Sequence, residues 1–278
     1  MSPDEPTAKA SVRRLSHGAL KPSEAALIVE EPLQIIVDGA PYAVLMRTPG
    51  DDLALAAGFC LAEGLIDSAA DLGAIQACEV EDANQVAVTR LGEHPPLHPA
   101  RQTVASSCGL CGREMIADIM QRLSAITRPF TISTQGLLAL GAHMQAAQQH
   151  FRSTGGAHAA ALFDAAGEML SFGEDVGRHN ALDKAIGRLL LPVGRGRRPA
   201  PACDDPLREA CVAVLSGRCS FEMVQKAARA GIPLLASVSA PTHLAVQLAS
   251  QLHMTLVGFL RKDSLTIYCD GGHLEDLP

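Results

Sequence analysis

From Thr154 to Cys269 the chain alternates short apolar runs with amphipathic stretches, and this alternation restricts its fold more than any other feature. The pattern predicts strands over 158–163, 169–172, 211–215, 233–238, 255–260 and 265–269, with helices over 180–190, 221–230 and 243–253. Strands separated by helices of this length bury both faces of a sheet, so the expectation is an α/β layered domain around a mainly parallel central sheet. Between 191 and 206 Pro, Arg and Gly dominate, which suits an exposed, mobile insertion.

The N-terminal part reads differently. Residues 1–20 are polar and read as a disordered leader. Apolar runs over 24–30 and 33–38, a Gly39-Ala40-Pro41 turn and a further run over 42–47 predict a hairpin. Thr48-Pro49-Gly50-Asp51-Asp52 then supplies turn and N-cap chemistry for a helix over 53–65, followed by short strands over 74–80 and 85–89. A loop over 91–105 with three prolines leads to a pair of thiols and a helix over 113–126. After a break at Thr127-Arg128-Pro129, a helix over 134–149 is expected. The 278 residues therefore divide into a leader (1–20), a β-rich α+β part (21–128) and an α/β part (129–278).

Composition removes several function classes. A formal net charge of -7 and a pI near 5.8 give no global positive field for nucleic acid or an anionic membrane surface. With no Trp and two Tyr, stacking platforms for single strands are lacking too. The apolar stretches are interrupted before membrane-spanning length and the start has no signal-like apolar core, so an unexported, cytoplasmic protein is expected. Of the eight cysteines, Cys60, Cys78, Cys211 and Cys269 sit in apolar segments and read as reduced core thiols.

Two constellations carry chemistry. The first is Ser106-Ser107-Cys108-Gly109-Leu110-Cys111-Gly112, two thiols three positions apart between glycines, with Cys111 close to the start of the helix over 113–126. A helix N-terminus lowers a thiol pKa and favours the thiolate, the nucleophilic form. A structural zinc site needs four ligands, and no second Cys-x-x-Cys is present; His94 and His98 would complete a set only by coincidence of spacing. A thioredoxin-like oxidoreductase would place the pair between a strand and a helix, whereas here a Pro-rich loop precedes it. Zinc deaminase chemistry needs His-x-Glu and Pro-Cys-x-x-Cys at two helix starts. The corresponding starts read His179-Asn180-Ala181 and Arg218-Cys219-Ser220, so no metal is expected.

The second constellation is a set of loops at the carboxyl ends of the expected strands, where α/β sheets bind ligands and helix N-termini offer amides to anions. It comprises Gly177, Arg178, His179 and Asn180; Ser216, Gly217 and Arg218; Ser239; and Phe259, Leu260, Arg261, Lys262, Asp263 and Ser264. Arginine binds phosphate bidentately and glycine lets backbone come close, so the set suits a nucleotide. Each segment alone is equally well explained by loop and capping chemistry; their convergence on one edge favours a site. His158 could act as a base or as a partner for a thiolate, although a histidine entering a strand is more often scaffold. Glu222 and Lys226, four apart on one helix, are expected to pair with each other.

Taken together, Cys108-Gly-Leu-Cys111-Gly, Thr154-Gly-Gly-Ala-His158, the run from Glu174 to Lys184, the run from Ser216 to Lys226, Ser239-Ala-Pro241 and Leu256-Val-Gly-Phe-Leu-Arg261 resemble the formate dehydrogenase accessory sulfurtransferases, the FdhD/NarQ family. The resemblance implies a carrier that takes persulfide sulfur from a cysteine desulfurase. It passes the sulfur to the molybdenum cofactor, bis(molybdopterin guanine dinucleotide), before insertion into the formate dehydrogenase apoenzyme. It also implies a persulfide on one cysteine of the pair, usually the first, which maps to Cys108. The implied cofactor stretch runs from Phe259 to Ser264, and the implied second domain is a cytidine deaminase-like three-layer α/β/α fold without the deaminase zinc site. A guanine nucleotide would mimic part of the cofactor. The residues leave two other uses open, a non-catalytic cofactor-binding chaperone and a thiol-disulfide oxidoreductase. A homodimer is the expectation from the symmetry of most soluble oligomers.

Overall fold

The computed structural model describes residues 5–78, 84–94, 97, 120, 123–191 and 206–277, which form three sheets. The thiol pair Cys108 and Cys111, most of the helix expected over 113–126 and most of the 191–206 insertion lie outside the described residues.

The first sheet is a hairpin of β1 (Thr7–Ser16) and β2 (Ala19–Ile28), turned at His17 and Gly18, both at positive φ. Over 7–20 this corrects the expectation of a disordered leader, which was placed over 1–20. Ala8, Ala10 and Val12 alternate with Lys9, Ser11 and Arg13, a period of two that small side chains make easy to overlook. The second sheet has the order β4-β3-β6-β5, from β3 (Glu31–Val37), β4 (Ala40–Arg47), β5 (Leu72–Ala77) and β6 (Gln85–Arg90). β3 and β4 form the expected antiparallel hairpin, and β3 runs parallel to β6.

Helix α1 (Asp52–Ala62) is buried from Ala54 to Ala62 because it is packed from both sides. It covers the second sheet and lies directly on α4 (Arg178–Leu190). A Cβ on Gly58 would come 2.0 Å from the Asp183 carbonyl oxygen, and one on Gly187 1.8 Å from that of Ala54. Only glycine allows backbones to approach this closely. A single apolar cluster runs from Leu33, Ile35 and Val86 through α1 to Leu182 and Ile186, joining the second sheet to the third.

The third sheet has the order β8-β7-β9-β10-β11-β12, built from β7 (His158–Phe163), β8 (Met169–Asp175), β9 (Val212–Leu215), β10 (Leu234–Ser237), β11 (Thr255–Gly258) and β12 (Thr266–Cys269). The expectation of a mainly parallel sheet is corrected. Of the neighbouring pairs only β9–β10 and β10–β11 are parallel, while β7 is antiparallel to β8 and β9, and β12 to β11. Loop length gives the reason: the β7–β8 and β11–β12 connections are too short for a crossover, which needs a dozen or more residues.

Alternate residues of each strand face opposite layers. Ala160 and Leu162 join α1, α4, α5 (Phe221–Arg229) and α6 (His243–Gln251) on one face. Ala159, Ala161 and Phe163 meet Leu137, Leu140 and Met144 of α2 (Thr134–Ala147) on the other. The helix expected over 134–149 stops at Gln148, which is extended, and α3 (Gln149–Thr154) starts anew. The Glu174 carboxylate fixes that break by accepting the amides of Gln149, His150 and Phe151 at 2.9–3.0 Å.

Candidate functional site

The carboxyl ends of β8, β9, β10 and β11 share one edge with the amino end of the reversed β7, so all four loops predicted to bind ligand leave the sheet on the same side. The loop after β8 is positioned by a buried ionic bolt. Asp175, fully buried at the end of β8, accepts the amides of Thr48 and Gly177 at 3.0 and 2.9 Å and lies 2.8 Å from Lys184 Nζ. Lys184 also donates to the Thr48 carbonyl at 2.8 Å, and the Thr48 hydroxyl accepts the Val176 amide. Asn180 donates both to Asp175 and to the Met46 carbonyl. Its amide thus holds the start of α4 against the end of β4 and faces inward.

Neither Gly177, the N-cap of α4, nor Ser220, the N-cap of α5, makes a side-chain capping bond, so the first-turn amides of two helices lack side-chain caps. The two starts meet: His179 Nε2 lies 2.7 Å from Glu222 Oε2 and 3.4 Å from Ser220 Oγ. The expected Glu222–Lys226 pair is therefore corrected. Lys226 turns to the buried side and holds both carboxylate oxygens of Asp183 at 2.8 and 2.7 Å, while Glu222 faces His179. The hydrogen bond from His179 is the main influence holding the Glu222 carboxyl below its ordinary value.

Ser216 Oγ accepts the Ala159 amide at 2.8 Å and lies 3.5 Å from His158 Nδ1. Gly217 is packed over His158: a Cβ there would stand 3.1 Å from Nδ1 and 3.6 Å from the Arg178 Cβ. Burial, and then the charges of Arg178 and His179, push His158 below its ordinary value, so its neutral form dominates near neutrality. Arg178 Nε is the only buried side-chain nitrogen or oxygen among the described residues without a hydrogen-bond partner. An orphan of this kind costs about 1–3 kcal/mol unless a ligand or water supplies an acceptor.

The remaining two loops are stitched together. Ser237 Oγ donates to the Gly217 carbonyl at 2.6 Å and accepts the Ser239 amide at 3.1 Å. Phe259 and Leu260 donate their amides to the carbonyls of Ser239 and Ser237, and the Arg261 guanidinium donates to the Val238 carbonyl. Phe259 adopts a left-handed conformation, φ 49°, that turns its ring outward with 42% exposure. Leu260 goes the other way, into the core beneath α2, so its side chain packs and does not face ligand. Arg218, Arg261, Lys262, Asp263 and Ser264 are exposed.

Sequence reasoning missed Glu222 as the partner of His179 and Ser237 as the clasp between loops. Glu222, at the second position of α5, carried the signal, since a carboxylate there can reach across to a neighbouring helix start. Among the described cysteines, burial pushes the thiols of Cys60, Cys211, Cys219 and Cys269 up, Cys60 to about 12, so none of these four is poised as a nucleophile. Among the described residues no group of three or more His, Cys, Asp and Glu could hold a metal ion. Nor is any described helix long and apolar enough to cross a membrane.

Chemically, the edge offers helix-start amides, one orphaned guanidinium nitrogen, two exposed arginines and an outward aromatic ring, a set suited to a phosphorylated, ring-bearing ligand. The model of the FdhD/NarQ family matches residues 28–275. Among curated proteins, the sulfur carrier protein FdhD of Streptomyces coelicolor is 42% identical over 278 residues, covering 94% of this chain and 93% of that one. That of Mycolicibacterium paratuberculosis is 44% identical over 274 residues, covering 94% and 96%. A crystal structure described as a formate dehydrogenase accessory protein from Desulfotalea psychrophila superposes with a TM-score of 0.78 at 20% identity, covering 98% of this chain and 100% of that one. At that identity the likeness speaks for the fold.

Proposed function

The chain belongs to the FdhD/NarQ family, and on that footing we propose that it is a cytoplasmic sulfur carrier. It accepts persulfide sulfur from a cysteine desulfurase and delivers it to bis(molybdopterin guanine dinucleotide) destined for formate dehydrogenase. Two relatives that carry the name sulfur carrier protein support the first half. One structural observation carries the second: the opposed starts of α4 and α5, without side-chain caps, beside the orphaned Arg178 Nε. The strand order of the third sheet, with its first strand reversed, supports the cytidine deaminase-like reading of this layer.

Loading begins when the Cys108 thiolate attacks the outer sulfur of the desulfurase persulfide. The S–S bond of the donor breaks, its thiolate leaves, and the outer sulfur remains on Cys108 as a new persulfide. Cys111 either keeps Cys108 reactive or discharges it. In discharge its thiolate attacks the inner sulfur of Cys108, a Cys108–Cys111 disulfide forms, and the terminal sulfur departs as hydrosulfide toward the acceptor. At the sheet edge the helix-start amides, Arg178 and Arg218 meet the phosphates of the acceptor, and Phe259 offers its ring to a base or pterin.

The test is mass spectrometry after incubation with a desulfurase and cysteine, comparing wild type with Cys108→Ala and Cys111→Ala. A gain of one sulfur lost in a single variant identifies the carrier. No gain in wild type refutes sulfur carriage, and a double Cys→Ala protein that still restores formate dehydrogenase activity replaces it with a cofactor-binding chaperone.

A further inference from the structure

Strand β8 borders the third sheet, and its outer side carries a hydrogen-bonding pattern that the sulfur-carrier reading does not use. Ala159 and Phe163 of β7 take their bonds toward β9, since their carbonyls accept the amides of Ser216 and Cys211. By alternation His158, Ala160 and Leu162 face β8, where they stand opposite Asp175, Gly173 and Ser171. Phe172 and Glu174 therefore turn both their amides and their carbonyls outward. The carbonyls are engaged: Arg188 donates to that of Phe172, and Lys184 donates to that of Glu174 at 3.4 Å. The two amides have no acceptor among the described residues.

Beside this strand lies a cavity of about 340 Å³ whose lining includes Pro49, Asp51, Phe172, Glu174, Lys184 and Arg188. That volume suits a small molecule. Its carboxylates are already in use: Asp51 pairs with Arg188, and Glu174 accepts the three amides that open α3. What the lining still offers is donors. Arg188 and Lys184 stand where the donors of a further strand would stand, each next to an outward amide, so an acceptor at either amide also meets a cation. Two amides at positions i and i+2 of a strand lie about 6.6 Å apart, which sets the spacing of the acceptors.

Asp51 shows that the place of Arg188 is held at a cost. It is the N-cap of α1, yet it adopts a left-handed conformation, φ 56°, and makes no capping bond. Losing a cap alone costs about 0.5–2 kcal/mol, and the left-handed region is unfavourable for a residue with a side chain. The carboxylate goes to Arg188 instead and holds the guanidinium at the edge of β8. Strain of this kind concentrates where ligands bind.

We propose that the outer side of β8 binds a short linear dicarboxylate, with one carboxylate between the Phe172 amide and Arg188 and the other between the Glu174 amide and Lys184. The site lies along the flank of the strand, apart from the loops at its carboxyl end, so it is independent of the nucleotide edge.

The experiment is heteronuclear NMR titration of the 15N-labelled full chain with succinate, and with acetate as a probe bearing a single carboxylate. Succinate should bind with a dissociation constant of about 1 mM or tighter and move the Phe172 and Glu174 amides together, and acetate should bind at least about tenfold more weakly. Arg188→Gln changes an exposed side chain, and circular dichroism checks that the variant folds. It should weaken succinate at least about tenfold, the value of one charge-assisted hydrogen bond. GDP, the probe of the sheet edge, should leave both amides and the succinate affinity unchanged. No saturable shift of these amides in wild type, acetate binding as tightly as succinate, a folded Arg188→Gln protein with unaltered affinity, or displacement of succinate by GDP would each overturn the proposal. A short extended peptide that moves both amides where succinate moves neither would overturn it in favour of an added strand.

Discussion

His179 and Glu222 stand in the first turns of different helices and meet at 2.7 Å, and this contact joins the two helix starts of the site, neither with a side-chain cap, into one unit. The pair is partly buried, with 16% and 20% of the side chains exposed. It sets the orientation of the imidazole without using the backbone amides of either first turn.

The depressed Glu222 carboxyl fixes how this contact responds to pH. A carboxyl whose folded value lies below its ordinary 4.5 contributes stability above that ordinary value and loses it as pH falls through the folded value. Glu222→Gln should cost about 1 kcal/mol near neutral pH, a modest figure because the pair is partly solvated. Urea denaturation of wild type and variant should give stability curves that converge as the pH is lowered below about 4. A difference that stays constant across that range would remove the carboxylate from the account.

Lys226 and Asp183 form a pair of another kind, almost wholly buried between α5 and α4. Burial pushes the Asp183 carboxyl up, and Lys226 is the main influence pulling against it. Lys226→Met leaves a charged oxygen pair without a partner, so the loss should be about 3–5 kcal/mol. The double variant Lys226→Met, Asp183→Leu should recover most of it, since apolar groups of similar volume replace a buried pair at little cost. Equal melting of the single and double variants would contradict this.

These two contacts also show how far sequence reasoning reached. The strands of the third sheet were legible as short apolar runs and its helices by their period, and Arg178 and Gly217 were placed on one edge by the rule for strand ends alone. Partner choice was not legible. Glu222 and Lys226 satisfy the i,i+4 rule, yet each finds a better partner on α4, where burial strengthens the interaction; only the packing of α5 on α4 decides it. The sheet direction was mistaken because alternation of elements was weighed above the short connections between β7 and β8 and between β11 and β12. Thr48 looked like a turn residue and is in fact part of the bolt on Asp175, a contact between segments far apart in the chain that no local pattern encodes.

Arg178 should be the residue on which nucleotide binding depends most. Its buried Nε has no partner within the described chain, and a guanidinium donates in a fixed fork that lysine lacks. Arg178→Lys should reduce affinity for GDP, used as a probe of the guanine dinucleotide, by about tenfold or more, the value of one charge-assisted hydrogen bond. Calorimetric titration measures it, with thermal melting as the control for folding. Unchanged GDP affinity would take Arg178 out of the site.

Gly217 sets the distance between the loop after β9 and the His158 ring. A methyl group there stands 3.1 and 3.2 Å from two ring atoms, tighter than ordinary contact, so Gly217→Ala must displace either the imidazole or the loop by a few tenths of an ångström. The Ser237 clasp on the Gly217 carbonyl resists movement of the loop, which leaves the ring to yield. The expected outcome is a stability loss of about 1 kcal/mol, in the range of mild overpacking. The histidine should respond too: turned away from Ser216 and toward solvent, His158 should titrate closer to its ordinary value of 6.5, and NMR titration of the imidazole reads this directly. A variant in which His158 titrates as in wild type would show that the loop, and not the ring, gives way.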